Sequence, residues 1–305
     1  MTLEPVDPGS DRKSLHIAAA WLAMLAVSDL PDIILSRLGA AIPSWILLAK
    51  VGFLVLFLGL TLAWKPLRRL WQYALILLTL FTALELTGLV RATAWFQGNF
   101  NDKGVSFFVG FAAVMVLDIL VALAVIAVLW LMKRDRKEFF LVKGELSAPI
   151  EPVRWLGIKA GNSWKSFGFI FAFAAGAGVA IPTIMAISPT SAMWAKALPL
   201  LPIAILLAAV NAFTEEAYFR ASLLSTLHRV IGRAHTLLIT IVFFGLNHFL
   251  YGSPPGIVGA SMVGFLAYLL GKSMLETRGF LWPWFIHFVP DVVVFFSYAL
   301  LLYKT

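Results

Sequence analysis

The chain contains no cysteine. Disulfides, a thiolate nucleophile and a thiolate zinc site are therefore excluded, so any nucleophile must be water or an oxygen. Charge is also scarce. Asp, Glu, Lys and Arg make up 13% of 305 residues, where soluble domains carry roughly a quarter. No internal repeat or low-complexity tract is present, which argues against a transporter built from inverted repeats. Acidic residues are the rarer charge, 16 against 24 Lys and Arg, for a net charge of +8. That excess is not a nucleic-acid signal. The basic residues cluster in short loops between apolar runs, where the positive-inside rule accounts for them, and base-reading machinery is missing.

What is abundant is apolar sequence: 61% hydrophobic residues and a mean hydropathy of +0.90. Apolar runs lie near 15–37, 43–64, 70–92, 106–132, 166–187, 197–224, 236–251, 256–275 and 282–303. Most approach the ~20 residues that cross a bilayer. The expected fold is all-α, a polytopic bundle of eight or nine transmembrane helices with a polar intramembrane cavity. The first run is interrupted by Asp29-Leu-Pro-Asp32 and reads as a broken or interfacial segment. Tryptophans at run ends (Trp64, Trp71, Trp95, Trp130, Trp164, Trp194, Trp282) form interfacial belts.

The chain divides into four regions. Residues 1–14 read as a disordered polar tail without signal-peptide order, and 15–132 as N-terminal spans. Residues 133–165 read as a cytoplasmic amphipathic loop, and 166–305 as a catalytic membrane core. Loop cations at Lys65, Arg68 and Arg69, and again from Lys133 to Lys143, are expected on the cytoplasmic side. The chain is thus expected to be an integral multi-pass protein, in the plasma (inner) membrane of a bacterial host. Lys50, Glu85 and Asp118 lie at membrane depth, and their signs suggest that Lys50 bridges one or both acids. His16, His228 and His235 fall at helix ends and read as solvated.

Within this apolar chain Glu215 and Glu216 are adjacent in one membrane run. Burying two carboxylates there costs several kcal/mol unless they are partnered, which makes the pair a functional-site hypothesis. The turn at Gly232 lies as far in sequence from Glu215 as from His248, so both sit roughly 25 Å up antiparallel helices, at one height. A carboxylate facing an imidazole can take a proton from water and deliver it to a leaving group. Arg220 follows Glu216 at i+4, the spacing of a helical ion pair. His287 and Asp291 share a face of the last run and could orient a carbonyl or stabilise an oxyanion. Glu215, His248 and His287 would also serve as a zinc ligand set, although the helical His-Glu-x-x-His signature is absent. No cofactor is expected, with zinc left open. Helix-locking, in which the same cluster only joins helices, is the rival reading.

Three motifs carry a resemblance. Glu215-Glu216-Ala-Tyr-Phe-Arg220, Phe244-Gly-Leu-Asn-His248 and His287-Phe-Val-Pro-Asp291 resemble the EExxxR, FxxxH and HxxxN/D motifs of the CPBP intramembrane proteases, which include the CAAX prenyl endopeptidases. The likeness spans roughly 197–303. It implies a CAAX-protease-like intramembrane endopeptidase of glutamic or metallo type, acting on a peptide or on a membrane-anchored, in some members lipidated, protein. Glu215 and His248 would activate water, and His287 and Asp291 would form the oxyanion site. Glu216 and Arg220 would be structural or water-positioning, with Phe244 packing beside them. Some family members serve bacteriocin immunity, so a non-catalytic membrane scaffold is the alternative. One strain is visible in the spacing: His287 lies only about 13 Å of helix beyond Arg278. Its height matches Glu215 only if the Gly232 hairpin projects from the membrane or the last helix starts deeper.

Overall fold

The computed structural model describes residues 8–102, 105–251 and 254–304. Among them are thirteen α-helices: α1 (Pro8–Val27), α2 (Leu30–Arg37), α3 (Ile46–Ala63), α4 (Trp71–Ala92), α5 (Ala94–Phe100), α6 (Phe107–Leu131), α7 (Trp164–Ile187), α8 (Ser191–Ala197), α9 (Leu201–Glu215), α10 (Ser222–Ile231), α11 (Arg233–Tyr251), α12 (Ile257–Thr277) and α13 (Leu281–Leu301). Eight helical stretches are long and apolar enough to cross a membrane, with the bent pair α1–α2 as a possible ninth span. The all-α, multi-pass expectation therefore holds, and the chain is an integral membrane protein. α1 begins at Pro8, inside the segment expected as a tail; residues 1–7 of that segment lie outside the described residues, as does Ser253 of the Ser253–Gly256 break.

The described chain divides into two compact units. One comprises residues up to Leu86 with Ala124–Phe139 and Tyr218–Gly271; the other comprises Thr87–Leu123, Phe140–Ala217 and residues from Lys272 onward.

In the first unit α1 and α2 meet at an angle of 53°. The break has an electrostatic cause. Lys50 on α3 pairs with Asp32 and lies 4.0 Å from Asp29, so the acids at the break answer a cation buried in an otherwise apolar helix. This corrects the expected bridge to Glu85 or Asp118: the partners are the two acids of the interrupted first run. Pro31 occupies the first turn of α2, where its missing N–H costs nothing. His16 is likewise buried rather than solvated, with Nε2 2.7 Å from the Pro66 carbonyl. Tyr73 Oη donates to the Ala20 carbonyl, tying α4 to α1. Arg134, just past α6, donates to Gln72 on α4 and to the Ser225 carbonyl on α10, and its burial lowers the guanidinium pKa below the ordinary arginine value.

In the second unit α13 packs mainly against α7 and α9. The α7 face turned inward is Gly168, Ala172 and Gly176, spaced four apart so that they share one side. A Cβ at Gly168 would overlap the Trp282 indole, and one at Gly176 would come within 2.9 Å of Val289 Cγ1. Small residues thus let the two backbones approach, the usual solution where lipid gives helices no hydrophobic drive to associate. Lower down, Phe295, Ala299 and Leu300 of α13 meet Leu207 and Ala204 of α9 in an apolar core.

The segment expected as an amphipathic loop is a folded strap in its later part. Glu145 N–H donates to the Thr277 carbonyl and Phe280 N–H to the Val142 carbonyl, both at 2.8 Å, clasping the turn between α12 and α13. Gly144 and Gly279 touch at this crossing, where a Cβ on Gly144 would lie 2.6 Å from the Gly279 Cα. Trp282 Nε1 donates to the Leu146 carbonyl and Trp164 Nε1 to Glu276, which also pairs with Lys272.

Removing the cation from the α2–α3 bridge strands two carboxylates. Lys50→Ala should lower stability by roughly 3–5 kcal/mol, read as a drop in the thermal midpoint of the detergent-solubilised protein. Lys50→Met combined with Asp29→Asn and Asp32→Asn should recover most of it. A wild-type midpoint for Lys50→Ala would show the bridge to be inert.

Candidate active site

Glu215 ends α9, and a π-helical turn, Glu216–Ala221, comes next before α10 resumes regular geometry. A π turn inserts an extra residue and rotates the remainder of the helix about its axis, and such turns concentrate at functional sites. It falls on the first motif.

In the second unit four predicted residues come together. His287 is the hub. Its Nδ1 lies 2.8 Å from Glu216 Oε1, and its Nε2 lies 3.5 Å from Glu215 Oε2 and 3.6 Å from Asp291 Oδ2. The expected i+4 relation of His287 and Asp291 therefore brings them together, and the heights of His287 and Glu215 agree. Burial separates the acids. The Glu216 side chain is 0% exposed and His287 5%, whereas Glu215 keeps 16% and Asp291 15%. The hidden acid holds one ring nitrogen, and the two more open acids face the other.

Asn211, one turn before Glu215, donates from Nδ2 to Asp291 Oδ2 at 3.0 Å. Trp284 Nε1 donates to the Ala209 carbonyl at 3.0 Å, pinning α13 to α9 one turn from His287. Pro290 stands inside α13 between His287 and Asp291, where it removes a backbone donor within the motif.

Sequence spacing missed the Glu216–His287 contact, having assigned Glu216 to Arg220 alone. Nothing in the sequence marks it, because the contact depends on how α13 is rotated against α9. Asn211 carried a signal, a lone amide one turn from the glutamates, but no partner could be assigned to it.

In the first unit the second motif proves to be one local device. Arg220 is fully buried with its Cζ 3.8 Å from the centre of the Phe244 ring. Phe244, expected as packing, thus also carries a guanidinium on its π face. The Phe244 carbonyl lies 2.9 Å from His248 Nδ1, and the two rings are 4.5 Å apart. A carbonyl only accepts, so Nδ1 carries the hydrogen and the neutral ring presents Nε2 as its acceptor. The four-residue spacing of Phe and His gives that bond its geometry.

Among the described residues no group of three His, Asp or Glu side chains is arranged to hold a metal ion.

Residues 197–293 match the family model of Type II CAAX prenyl endopeptidase Rce1-like proteins. All three motifs fall inside the match, so the resemblance holds for the segment that carries them, and that segment is CAAX-protease-like. No curated protein and no solved structure matches the chain.

The stacking of Arg220 on Phe244 is open to a double-mutant cycle. Arg220→Met and Phe244→Leu should show a coupling of about 1–2 kcal/mol in thermal or denaturant unfolding. Additive effects would mean that the ring does not stabilise the charge.

Proposed function

We propose that the chain is an intramembrane endopeptidase whose catalytic core lies in residues 166–305 and which hydrolyses a peptide bond with activated water and no covalent intermediate. The observation that carries this reading is the lodging of His287 between two adjacent glutamates of one membrane helix, inside the segment matched to the prenyl endopeptidase family. Three carboxylates gathered about one imidazole are an expensive way to join helices, and a chemical role accounts for retaining them.

In this mechanism Glu215, the more open glutamate, takes a proton from water, and the hydroxide attacks the scissile carbonyl carbon. The oxyanion accepts a hydrogen bond from His287 Nε2–H, whose ring Glu216 holds from behind through Nδ1. Glu215 then passes its proton to the departing amine as the tetrahedral intermediate collapses to a carboxylic acid and an amine. His248, with Nδ1 committed to the Phe244 carbonyl, offers Nε2 to the attacking water. Its partnership with Glu215 rests on their equal distances from Gly232 in sequence. The negative charge of Asp291 is drawn towards the Asn211 amide, and 3.6 Å from His287 is too long for a strong competing hydrogen bond. The substrate is a peptide or a membrane-anchored protein, and water reaches the site from the cytoplasmic side.

Complete burial of Glu216 favours a second reading, in which the cluster is a lock in a non-catalytic scaffold. The two readings part under substitution. Glu215→Gln and His248→Ala should each lower turnover by about 10²–10⁴-fold, the range of general acid–base catalysis, with unchanged thermal midpoints. Glu216→Gln, which keeps an acceptor for Nδ1–H, should be milder than Glu216→Leu. A proteomic comparison of membranes holding wild-type and Glu215→Gln protein should reveal C-terminal fragments that vanish in the variant. An empty difference, together with variants that unfold rather than fall silent, would favour the scaffold.

A further inference from the structure

At one end of the first unit three separate segments enclose a cavity of about 700 Å³. They are the start of α1, the 3₁₀ turn Lys65–Leu70 between α3 and α4, and the turn from α10 to α11 at Gly232. Five cations line it, Arg12, Lys13, Lys65, Arg69 and Arg229, and no carboxylate is among its lining residues. The nearest acid paired with them is Glu138, 4.0 Å from Arg229, and both of those side chains are well exposed. Loop cations alone are what the positive-inside rule predicts. Here they converge from distant parts of the chain on one hollow.

The walls are fixed in place. The buried His16 ring joins α1 to the 3₁₀ turn through the Pro66 carbonyl at 2.7 Å. Trp21 Nε1 donates to His235 Nδ1 at 3.4 Å, joining α1 to α11. His228 Nδ1 is held by the Leu224 carbonyl at 2.6 Å, so its other nitrogen is left to face outward as the neutral ring's acceptor or the charged ring's donor. Gly232 makes the reversal with φ +86°, a backbone region that side chains disfavour. Gathering five like charges about a built hollow is unfavourable without an anion, and the volume suits a small polar group.

Depth identifies the source of that anion. Lys65 and Arg69 immediately follow the apolar helix α3, and the exposed Trp64 precedes them at the interfacial position. The cavity therefore lies where the helices leave the hydrocarbon, at headgroup level. We propose that this basic cavity is a binding site for the phosphate-bearing headgroup of an anionic phospholipid. It is separate from the proteolytic reading and does not depend on it.

The test uses the full-length protein in mixed micelles, with fluorescent phosphatidylglycerol competed against phosphatidylcholine. The wild type should retain the anionic lipid preferentially. A triple variant, Lys65→Gln with Arg69→Gln and Arg229→Gln, should lose roughly fivefold of that preference per neutralised charge, on the order of a hundredfold in all. A charge-keeping triple variant, Lys65→Arg with Arg69→Lys and Arg229→Lys, should bind as the wild type does. Should the neutral triple fail to fold, Arg12→Gln and Lys13→Gln, at the exposed start of α1, each give the same fivefold readout. Equal retention of the two lipids by the wild type, or undiminished preference in a folded neutral variant, would overturn the proposal. Displacement of the lipid by millimolar inorganic phosphate would assign the cavity to a soluble phosphate and overturn the lipid assignment.

Discussion

A carboxylate in a membrane helix must find a partner, and this constraint organises much of the described structure. Glu216 is sealed from solvent and finds the His287 ring; Asp29 and Asp32 find Lys50; Asp291 finds Asn211. Each contact joins a pair of helices, α9 with α13 or α2 with α3. In lipid the apolar faces of helices gain little from meeting one another, so polar contacts and close backbone approach must specify which helices pair and in what rotation. The polar contacts that make the site interesting are thus also what holds its helices in register.

His287 illustrates the coupling of fold to chemistry. Its position depends on three things outside its own motif. The glycines of α7 admit Trp282 and Val289 at close range, which sets how α13 lies in the second unit. The strap from Val142 to Ala148 clasps the turn before α13. Trp284 fastens the same helix to the Ala209 carbonyl. A ring held by Glu216 at one nitrogen, on a helix fixed at several points, cannot reorient freely. Preorganisation of this kind is what lets a single N–H stabilise developing charge without first rearranging.

Much of the architecture was legible in the residues. The apolar runs locate the eight spanning stretches, because hydrophobic length is dictated by bilayer thickness and needs no tertiary knowledge. The interruption at Asp29-Leu-Pro-Asp32 appears as the bend between α1 and α2. The four-residue spacing of His287 and Asp291 carries directly into space, since regular helix geometry places such residues one above the other. The three motifs fall within the family match at 197–293. What could not be read was partnership across helices. Lys50 had acids of the right sign on α4 and α6, yet it pairs with the acids beside the broken helix. Sequence reports membrane depth and the sign of a charge but not the rotation of one helix about its axis against another.

The Glu216 assignment failed for a related reason. Spacing by 3.6 residues per turn sent it to Arg220 and away from the chemistry. That spacing supposes an unbroken α-helix, and the chain enters a π turn at Glu216. The inserted residue changes the phase at the one place where a third of a turn decides which glutamate meets which base. Periodicity arguments are strongest where a helix is plain and weakest where it is deformed, and deformation is commonest where backbone geometry serves a site. Two adjacent glutamates on a regular helix would point about 100° apart and could not both approach one imidazole as readily. At the start of the π turn they approach opposite nitrogens of the same ring, at 2.8 and 3.5 Å. The irregularity that defeated the sequence reading therefore belongs to the geometry that places both acids on His287.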